Sequence, residues 1–338
     1  TDTEIEAVFT IVPDKINSID KTSKTTVSAK KLLEICRNMS AGSTLHFCFN
    51  SEKMKMKIVA GGSRFVLSCL ADDQFPNLKL DIQGGSCNLP QEALLTALKK
   101  VHFSMGYQDV RYFLNGLLLE FINQELAFVA TDGHRLAITK LLLEKTPEYT
   151  ENKSFDDNSH IKIILPRKAV VELMRLLDQV PDNIKVLFSK NHIQFQLKDI
   201  VFTAKLLEGQ YPDYKRVIPN KGPYELSARK ETFKQALNSV SILANEQYNG
   251  VLFELKESNP EMVLQTYNPE QEVAHAKIPV DYAGKDVKIG FNIRYLNEIL
   301  GVLPEDDFKL TLENEQGSAL IQQDADASTQ YVVMPIRI

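Results

Sequence analysis

One amphipathic helix pattern recurs three times in this chain, and that recurrence constrains the fold more than any other feature. From Pro166 to just beyond Arg175, Val170, Leu173, Met174 and Leu177 fall at i, i+3, i+4 and i+7. This spacing lays one apolar stripe along a helix and leaves Lys168 and Arg175 off it. Upstream, Ser28 to Arg37 places Leu32, Ile35, Cys36 and Met39 on the stripe and Lys30 and Arg37 off it. Downstream, Asn292 to Leu300 repeats the pattern with Leu296, Ile299, Leu300 and Leu303, and Arg294 stands at its opening. Lys30, Lys168 and Arg294 are separated by 138 and 126 residues, an interval of domain size. The chain therefore reads as three copies of one domain.

The 338 residues, 43% hydrophobic and 25% charged, suffice for two or three cores. The sequence has no apolar run near the ~20 residues of a membrane span, and its first residues lack the basic-then-apolar profile of a signal peptide. The expectation is a soluble, cytoplasmic protein with no membrane partner. Cys36, Cys48, Cys69 and Cys87 show no Cys-x-x-Cys spacing, and Cys36 lies on a stripe expected to be buried, so reduced structural thiols are expected. The six histidines are scattered, with none paired at metal-ligand spacing, so neither metal nor cofactor is expected. A net charge of −5 argues against a surface that coats nucleic acid everywhere, and leaves room for a local basic lining.

Copies two and three each carry an earlier helix, on Leu94, Ala97, Leu98 and Val101 and on Phe233, Ala236, Leu237 and Val240. Copy one has no counterpart, so the chain is expected to begin inside its first domain, short of a helix and two strands, on the order of 45 residues. Alternation marks a strand after each repeated helix: Leu45, Phe47 and Phe49; Ile184, Val186 and Phe188; Phe308, Leu310 and Leu312. Two further strands follow in every copy. Gln74 to Asn77 and Gln210 to Asp213 close the first two copies on nearly the same word, where a proline stops the ladder. Asp132-Gly133 reads as a turn between two apolar runs, and 146–160 as an exposed polar loop. The fold class is α+β: three pseudo-repeated domains spanning 1–84, 85–222 and 223–338, with helices on one side and antiparallel sheets on the other.

Catalytic chemistry is hard to find. Gly61-Gly-Ser-Arg64 lacks the Gly-Lys-Ser/Thr of a phosphate loop. Asp132 and His134 could serve a hydrolase as acid and base, but they sit two apart in a turn with no nucleophile motif, and no catalytic residue is assigned. What the sequence does repeat is charge: Lys30, Lys31 and Arg37; Lys99 and Lys100; Arg167, Lys168 and Arg175; Arg229, Lys230 and Lys234; Arg294. Arranged pseudo-symmetrically, such cations form one surface suited to a phosphate backbone without base readout. An adaptor that does not encircle DNA is a further reading.

The sequence resembles the bacterial DNA polymerase III beta subunit family, the sliding clamps, along essentially its whole length. The most specific words are Gln108 to Gly116, Val129 to Ala137, Gly209 to Tyr214, Asn268 to Glu272, Gly290 to Asn292 and Tyr331 to Ile338. The resemblance implies three DNA clamp domains per subunit, a head-to-tail homodimer closed around duplex DNA, and no catalytic activity. It also implies a pocket between the second and third domains for short peptides from the polymerase III alpha subunit, the clamp loader, other polymerases and repair proteins. On this chain that pocket would use Leu114, Thr131, Gly133, His134, Arg135, Leu136, Pro212, Arg216 and Val217. Tyr248, Asn292, Tyr295, Ser318, Val332, Val333, Met334, Pro335, Ile336 and Arg337 would complete it. Tyr248 stands where phenylalanine is usual, and Ile336 and Ile338 where methionine and leucine are usual. An exposed Leu136 and an exposed apolar tail would fit a surface that meets a partner, and Arg135→Ala is expected to weaken peptide binding while leaving the fold. For DNA the resemblance adds Gln108, Tyr112 and Phe113 to Lys30, Arg37, Lys99, Lys100, Arg167, Lys168, Arg175, Lys230 and Lys234. For the subunit contact it implies Arg64, Phe65 and Leu67 of one copy against Ile242, Leu243, Glu270 and Glu272 of the other.

Overall fold

The computed structural model describes residues 2–11, 24–75, 78, 82–149, 160–177, 183–220, 222–257 and 259–337. Pro76, Asn77, Lys221, Ile338 and the stretch 150–159 of the polar interruption lie outside the described residues. Contacts group the chain into two compact units, Thr1–Glu6 with Thr10–Lys79 and Ala7–Phe9 with Leu80–Ile338. Five α-helices are present among the described residues: α1 (Ala29–Arg37), α2 (Gln91–Val101), α3 (Arg167–Leu177), α4 (Lys230–Ser241) and α5 (Ile293–Leu300). The three repeated stripes are α1, α3 and α5; the two earlier helices are α2 and α4. Among the described residues no helix is long and apolar enough to cross a membrane.

In the larger unit the element order runs twice. A strand (Gly85–Pro90, then Tyr224–Arg229) leads into α2 and α4, and further strands end in His160–Pro166 and Val287–Asn292. These deliver the chain to α3 and α5, and three more strands close each round. The pairings repeat as well. Gly85–Pro90 lies antiparallel to Asn183–Phe188, with Cys87 opposite Val186, as Tyr224–Arg229 does to Asp307–Leu312, with Leu226 opposite Leu310. α2 packs on α3 and on the strands Glu125–Thr131 and Arg135–Leu142; α4 packs on α5 and on Glu261–Tyr267 and Val273–Pro279. The stripes do what their spacing requires: Leu94, Ala97, Leu98 and Val101 of α2 and Phe233, Leu237 and Val240 of α4 are buried. Each of the leucine, valine and phenylalanine side chains contributes roughly 1.5–3 kcal/mol by leaving water.

A nine-stranded antiparallel sheet joins the central and third copies. Its joint pairs Arg135–Leu142 with Asp326–Val333, setting Leu136 opposite Val332 and Val333 opposite Arg135. The joint buries Leu114, Leu136, Tyr211, Tyr214, Leu320 and Val332 in one cluster.

The smaller unit is thinner. Leu45–Asn50, Lys55–Ala60 and Ser63–Ser68 form a three-stranded sheet in that order, with Ile58 opposite both Phe47 and Phe65. Its core is Ile35, Ile58 and Leu67, edged by Val27, Leu32, Leu45, Met56 and Phe65. Two expectations are corrected here. Cys36 is exposed, because it stands about 100° around the helix from Ile35 and the narrow sheet does not reach it. Phe47, outside that small core, is 53% exposed although the alternation placed it inward.

Candidate functional site

The joint between the central and third copies carries a cavity of about 210 Å³. Its rim is the three-residue link between Glu125–Thr131 and Arg135–Leu142, a tight turn as the Asp-Gly pair predicted. Asp132 Oδ1 accepts from the backbone N–H of His134 (3.0 Å) and Arg135 (3.1 Å). Thr131 Oγ1 donates to the Arg135 carbonyl (2.6 Å) and accepts from Gly133 N–H (3.0 Å). Gly133 is needed twice over: its φ is +87°, and a Cβ there would meet the Arg111 guanidinium at 2.9 Å.

Of the residues expected in a peptide pocket, Leu114, Thr131, Gly133, Arg135, Leu136, Pro212, Val217, Val332 and Met334 line this cavity together. Others sit on its margins. His134 stacks on Tyr295, ring centroids 6.4 Å apart. Asn292 caps α5, its side chain accepting from Tyr295 N–H (3.2 Å) and donating to the Tyr248 carbonyl (3.1 Å). Tyr248 itself is exposed. Exposed Arg216 is paired with Asp213 at 2.9 Å. Half-buried Ser318 lies outside the cavity lining.

The tail is not a loose apolar surface, nor is Leu136. Leu136, Val332 and Val333 are 2%, 1% and 0% exposed because they sit in the sheet joint; only the edges of Leu136 and Val332 floor the cavity, and Val333 does not line it. Beyond them Met334 N–H donates to the His134 carbonyl and Ile336 N–H to the Gly290 carbonyl, both at 2.9 Å. Met334, Pro335 and Ile336 are half-buried and Arg337 is exposed.

Arg135 is corrected more strongly. Only 6% exposed, it pairs with Asp132 (3.0 Å) and Glu298, donates to the Phe103 carbonyl (2.8 Å), and lies 4.4 Å from the centre of the Tyr295 ring. Removing it would take one partner from Asp132, which keeps its two turn amides, and one from Glu298, which keeps Arg294 at 3.1 Å, so Arg135→Ala is expected to perturb the local packing as well as the pocket. The same geometry leaves the hydrolase reading without support, since both Asp132 oxygens are engaged by the turn and by Arg135.

Three lining residues, Arg111, Asp213 and Tyr214, were not foreseen, although each lies within a word singled out in the sequence. Arg111 grips Asp109 through two hydrogen bonds (2.8 and 3.0 Å) and holds its carboxyl at about 2. Also unforeseen is Glu120, fully buried in the strand Gly116–Ile122. Burial opposes its charge, but the Tyr214 phenol, His160, Lys215 and Lys162 outweigh that cost and hold its carboxyl at about 2.

The cations expected at DNA divide into two groups. Lys30, Arg37, Lys99 and Lys168 are exposed, as is Arg175, which pairs with Glu172 at 2.6 Å. Lys100 is instead bound to Asp326 at 2.6 Å and turned toward Thr329, which removes it from an open basic surface. Lys230 donates to the Leu303 carbonyl (3.1 Å), and Lys234 is half-buried. Arg167 donates to the Met105 carbonyl (2.9 Å) and lies over the Tyr107 ring; with Lys168 and Gln108, whose φ is +55°, it lines a hollow of about 370 Å³. Tyr112 is exposed, whereas Phe113 packs on the joint cluster.

For the expected subunit contact, Arg64 is exposed but Phe65 and Leu67 turn into their own core, leaving Val66 facing out. Ile242, Glu270 and Glu272 are exposed and Leu243 is half-buried.

Comparison with known proteins agrees with this architecture. Residues 1–79, 88–213 and 215–337 match the family models described as the DNA polymerase III beta subunit N-terminal, central and C-terminal domains. The beta sliding clamp of Pseudomonas putida is 34% identical over 338 residues, covering 100% of this chain and 88% of the relative; that of Escherichia coli K12 is 36% identical, covering 100% and 87%. Among solved structures, the DNA polymerase III subunit beta from Pseudomonas aeruginosa superposes with a TM-score of 0.91 at 33% identity, covering 100% of this chain and 88% of that one. A sliding clamp from the same organism bound to griselimycin gives 0.91 at 33%, covering 100% and 87%. With three clamp domains matched in order along its length, the chain belongs to the DNA polymerase III beta subunit family, the beta sliding clamps.

Proposed function

We propose that this chain is a processivity factor without catalytic activity, three clamp domains at 1–84, 85–222 and 223–338, acting in the cytoplasm. Two copies close head to tail around duplex DNA, with the exposed edge at Arg64 and Val66 of one meeting the region of Ile242, Glu270 and Glu272 of the other. DNA is held by enclosure, and Lys30, Arg37, Lys99, Lys168 and Arg175 supply mobile contacts to phosphate from a protein whose net charge is −5. The cavity at the joint receives short peptides from the polymerase III alpha subunit, the clamp loader, other polymerases and repair proteins. Tethering by such a peptide turns each rebinding into an intramolecular event at roughly millimolar effective concentration.

The observation that carries this reading is the apolar cavity walled by Leu114, Pro212, Val217 and Met334 at the joint of a clamp-family chain. Griselimycin is the probe for it. Wild-type protein should bind it, and Val217→Asp, which sets a charge in the apolar wall at a partly exposed position, should weaken binding by about 100-fold. Equal binding by both proteins would remove the pocket assignment. Enclosure is tested separately by loading the protein onto nicked circular DNA and then cutting the circle. Release only after cutting supports a ring, and equal release from circular and linear DNA supports the non-encircling adaptor.

A further inference from the structure

The wall Pro212–Val217 belongs to a connecting segment, which has no sheet ladder of its own to fix it against the central copy. Beyond a single backbone bridge at the start of the segment, Leu207 N–H to the Ile164 carbonyl (2.9 Å), two phenols hold the wall itself. Tyr211 Oη accepts from Thr131 N–H (3.1 Å) and donates to the Val129 carbonyl (3.3 Å), tying the segment to the strand Glu125–Thr131. Tyr214, 5% exposed, donates its phenol proton to Glu120 Oε2 and ties the segment to the strand Gly116–Ile122. Pro212 and Asp213, both exposed and both lining the cavity, are the two residues between these anchors.

Glu120 is an unusual anchor. It has 0% exposure and is the single charged residue of a strand whose other residues are all apolar. Its two oxygens face different parts of the molecule. Oε1 meets His160 Nε2 at 2.7 Å and Lys162 Nζ at 3.3 Å, both on the strand His160–Pro166, where Lys162 is also its direct cross-strand neighbour. Oε2 meets Tyr214 Oη and, at 3.7 Å, Lys215 Nζ, both on the connecting segment. A charged acceptor makes the stronger class of hydrogen bond, and burial sharpens its direction.

We infer that Glu120 is a positioning residue for the pocket, holding the Pro212–Val217 wall at its working distance from Leu114 and Leu136 through the Tyr214 phenol. The inference rests on the pocket reading above. A purely structural carboxylate would affect folding and leave ligand affinity unchanged; a positioning carboxylate affects affinity in a protein that is still folded.

The test is a double-mutant cycle read by griselimycin titration, with thermal melting of every variant as the folding control. Tyr214→Phe keeps the packed ring and removes only the proton donor, so affinity should fall about tenfold. Glu120→Gln retains an oxygen that can accept from Tyr214 and should fall by only about threefold. The double variant should match Tyr214→Phe alone, because both changes cut one link. If folded Tyr214→Phe binds as tightly as wild type, or if the two losses multiply, the inference is overturned. Should Glu120→Gln not fold, Tyr214→Phe decides alone. Failure of the wild-type protein to bind removes the pocket reading and this inference with it, whereas wild-type binding with unchanged variants removes only the inference.

Discussion

α1 and α3 are written in the same sequence pattern and rest on different amounts of apolar ground. α3 buries Ala169, Val170, Leu173 and Leu177, all at 0% exposure, against α2 and the strands Gly116–Ile122 and His160–Pro166. α1 buries Ile35 alone, at 8%, on a three-stranded sheet, with Leu32 half-buried and Leu33 49% exposed. The matched charges do not differ: Lys30 and Arg37 on α1 and Lys168 and Arg175 on α3 are all exposed, and the bound cations, Lys100 of α2 on Asp326 and Arg167 of α3 on the Met105 carbonyl, stand at other positions. Periodicity therefore reports which face of a helix turns inward; the depth of that burial is set by what lies beneath, which other segments of the chain supply.

The sharpest way to break this contrast is truncation of matched stripe positions. Leu173→Ala should destabilise the larger unit by about 3–4 kcal/mol, the range for a fully buried leucine whose cavity cannot collapse. Ile35→Ala, the corresponding position on α1, should cost only about 2 kcal/mol, the low end of the range for such a truncation, since the small core of Ile35, Ile58 and Leu67 around it can collapse. Urea unfolding of both variants measures the pair, and equal costs would mean that α1 is packed as deeply as α3.

A smaller effect sharpens the contrast between the cations. Lys30→Ala should leave stability unchanged and lower the slope of log affinity against log salt for duplex DNA by about 0.9, the loss of one phosphate contact. Lys100→Ala should leave the slope unchanged and cost about 1–2 kcal/mol, because Asp326 loses its half-buried partner. An altered slope for Lys100→Ala would return that residue to the DNA-facing set.

These contrasts also mark where the sequence stopped being readable. All five helices, the strands after each repeated helix and the Asp132-Gly133 turn follow from short-range spacing, which one chain segment displays in full. The burial of Leu136 and Val332 does not, because it arises from a sheet joint between strands nearly 200 residues apart. Lys100 meets Asp326 across 226 residues, so it looked like a free cation beside its own neighbours, and Arg135 meets Glu298 across 163, so its burial was equally hidden. Glu120 gave no signal at all: a single carboxylate in an apolar strand becomes intelligible only once His160, Lys162, Tyr214 and Lys215 surround it. The residues lining the cavity were legible as family words, while the support behind them depends on such distant meetings.

The smallest expected effect concerns the thiols, and it tests the corrected face of α1 directly. Cys36 and Cys48 are exposed, so both should react with an aromatic disulfide reagent in the native protein. Cys69 and Cys87 are buried, and burial pushes the Cys87 thiol up to about 12, which leaves it almost wholly protonated and unreactive near pH 8. Native protein should therefore titrate two thiols and urea-unfolded protein all four. Cys36→Ser should change stability by less than about 0.5 kcal/mol, the range for a surface position. If Cys36 is instead protected, or if its serine variant is destabilised like a core substitution, a surface covers the outer side of α1. The stripe Leu32, Ile35, Cys36 and Met39 would then be buried as completely as its counterpart on α3, and the difference between the two helices would disappear.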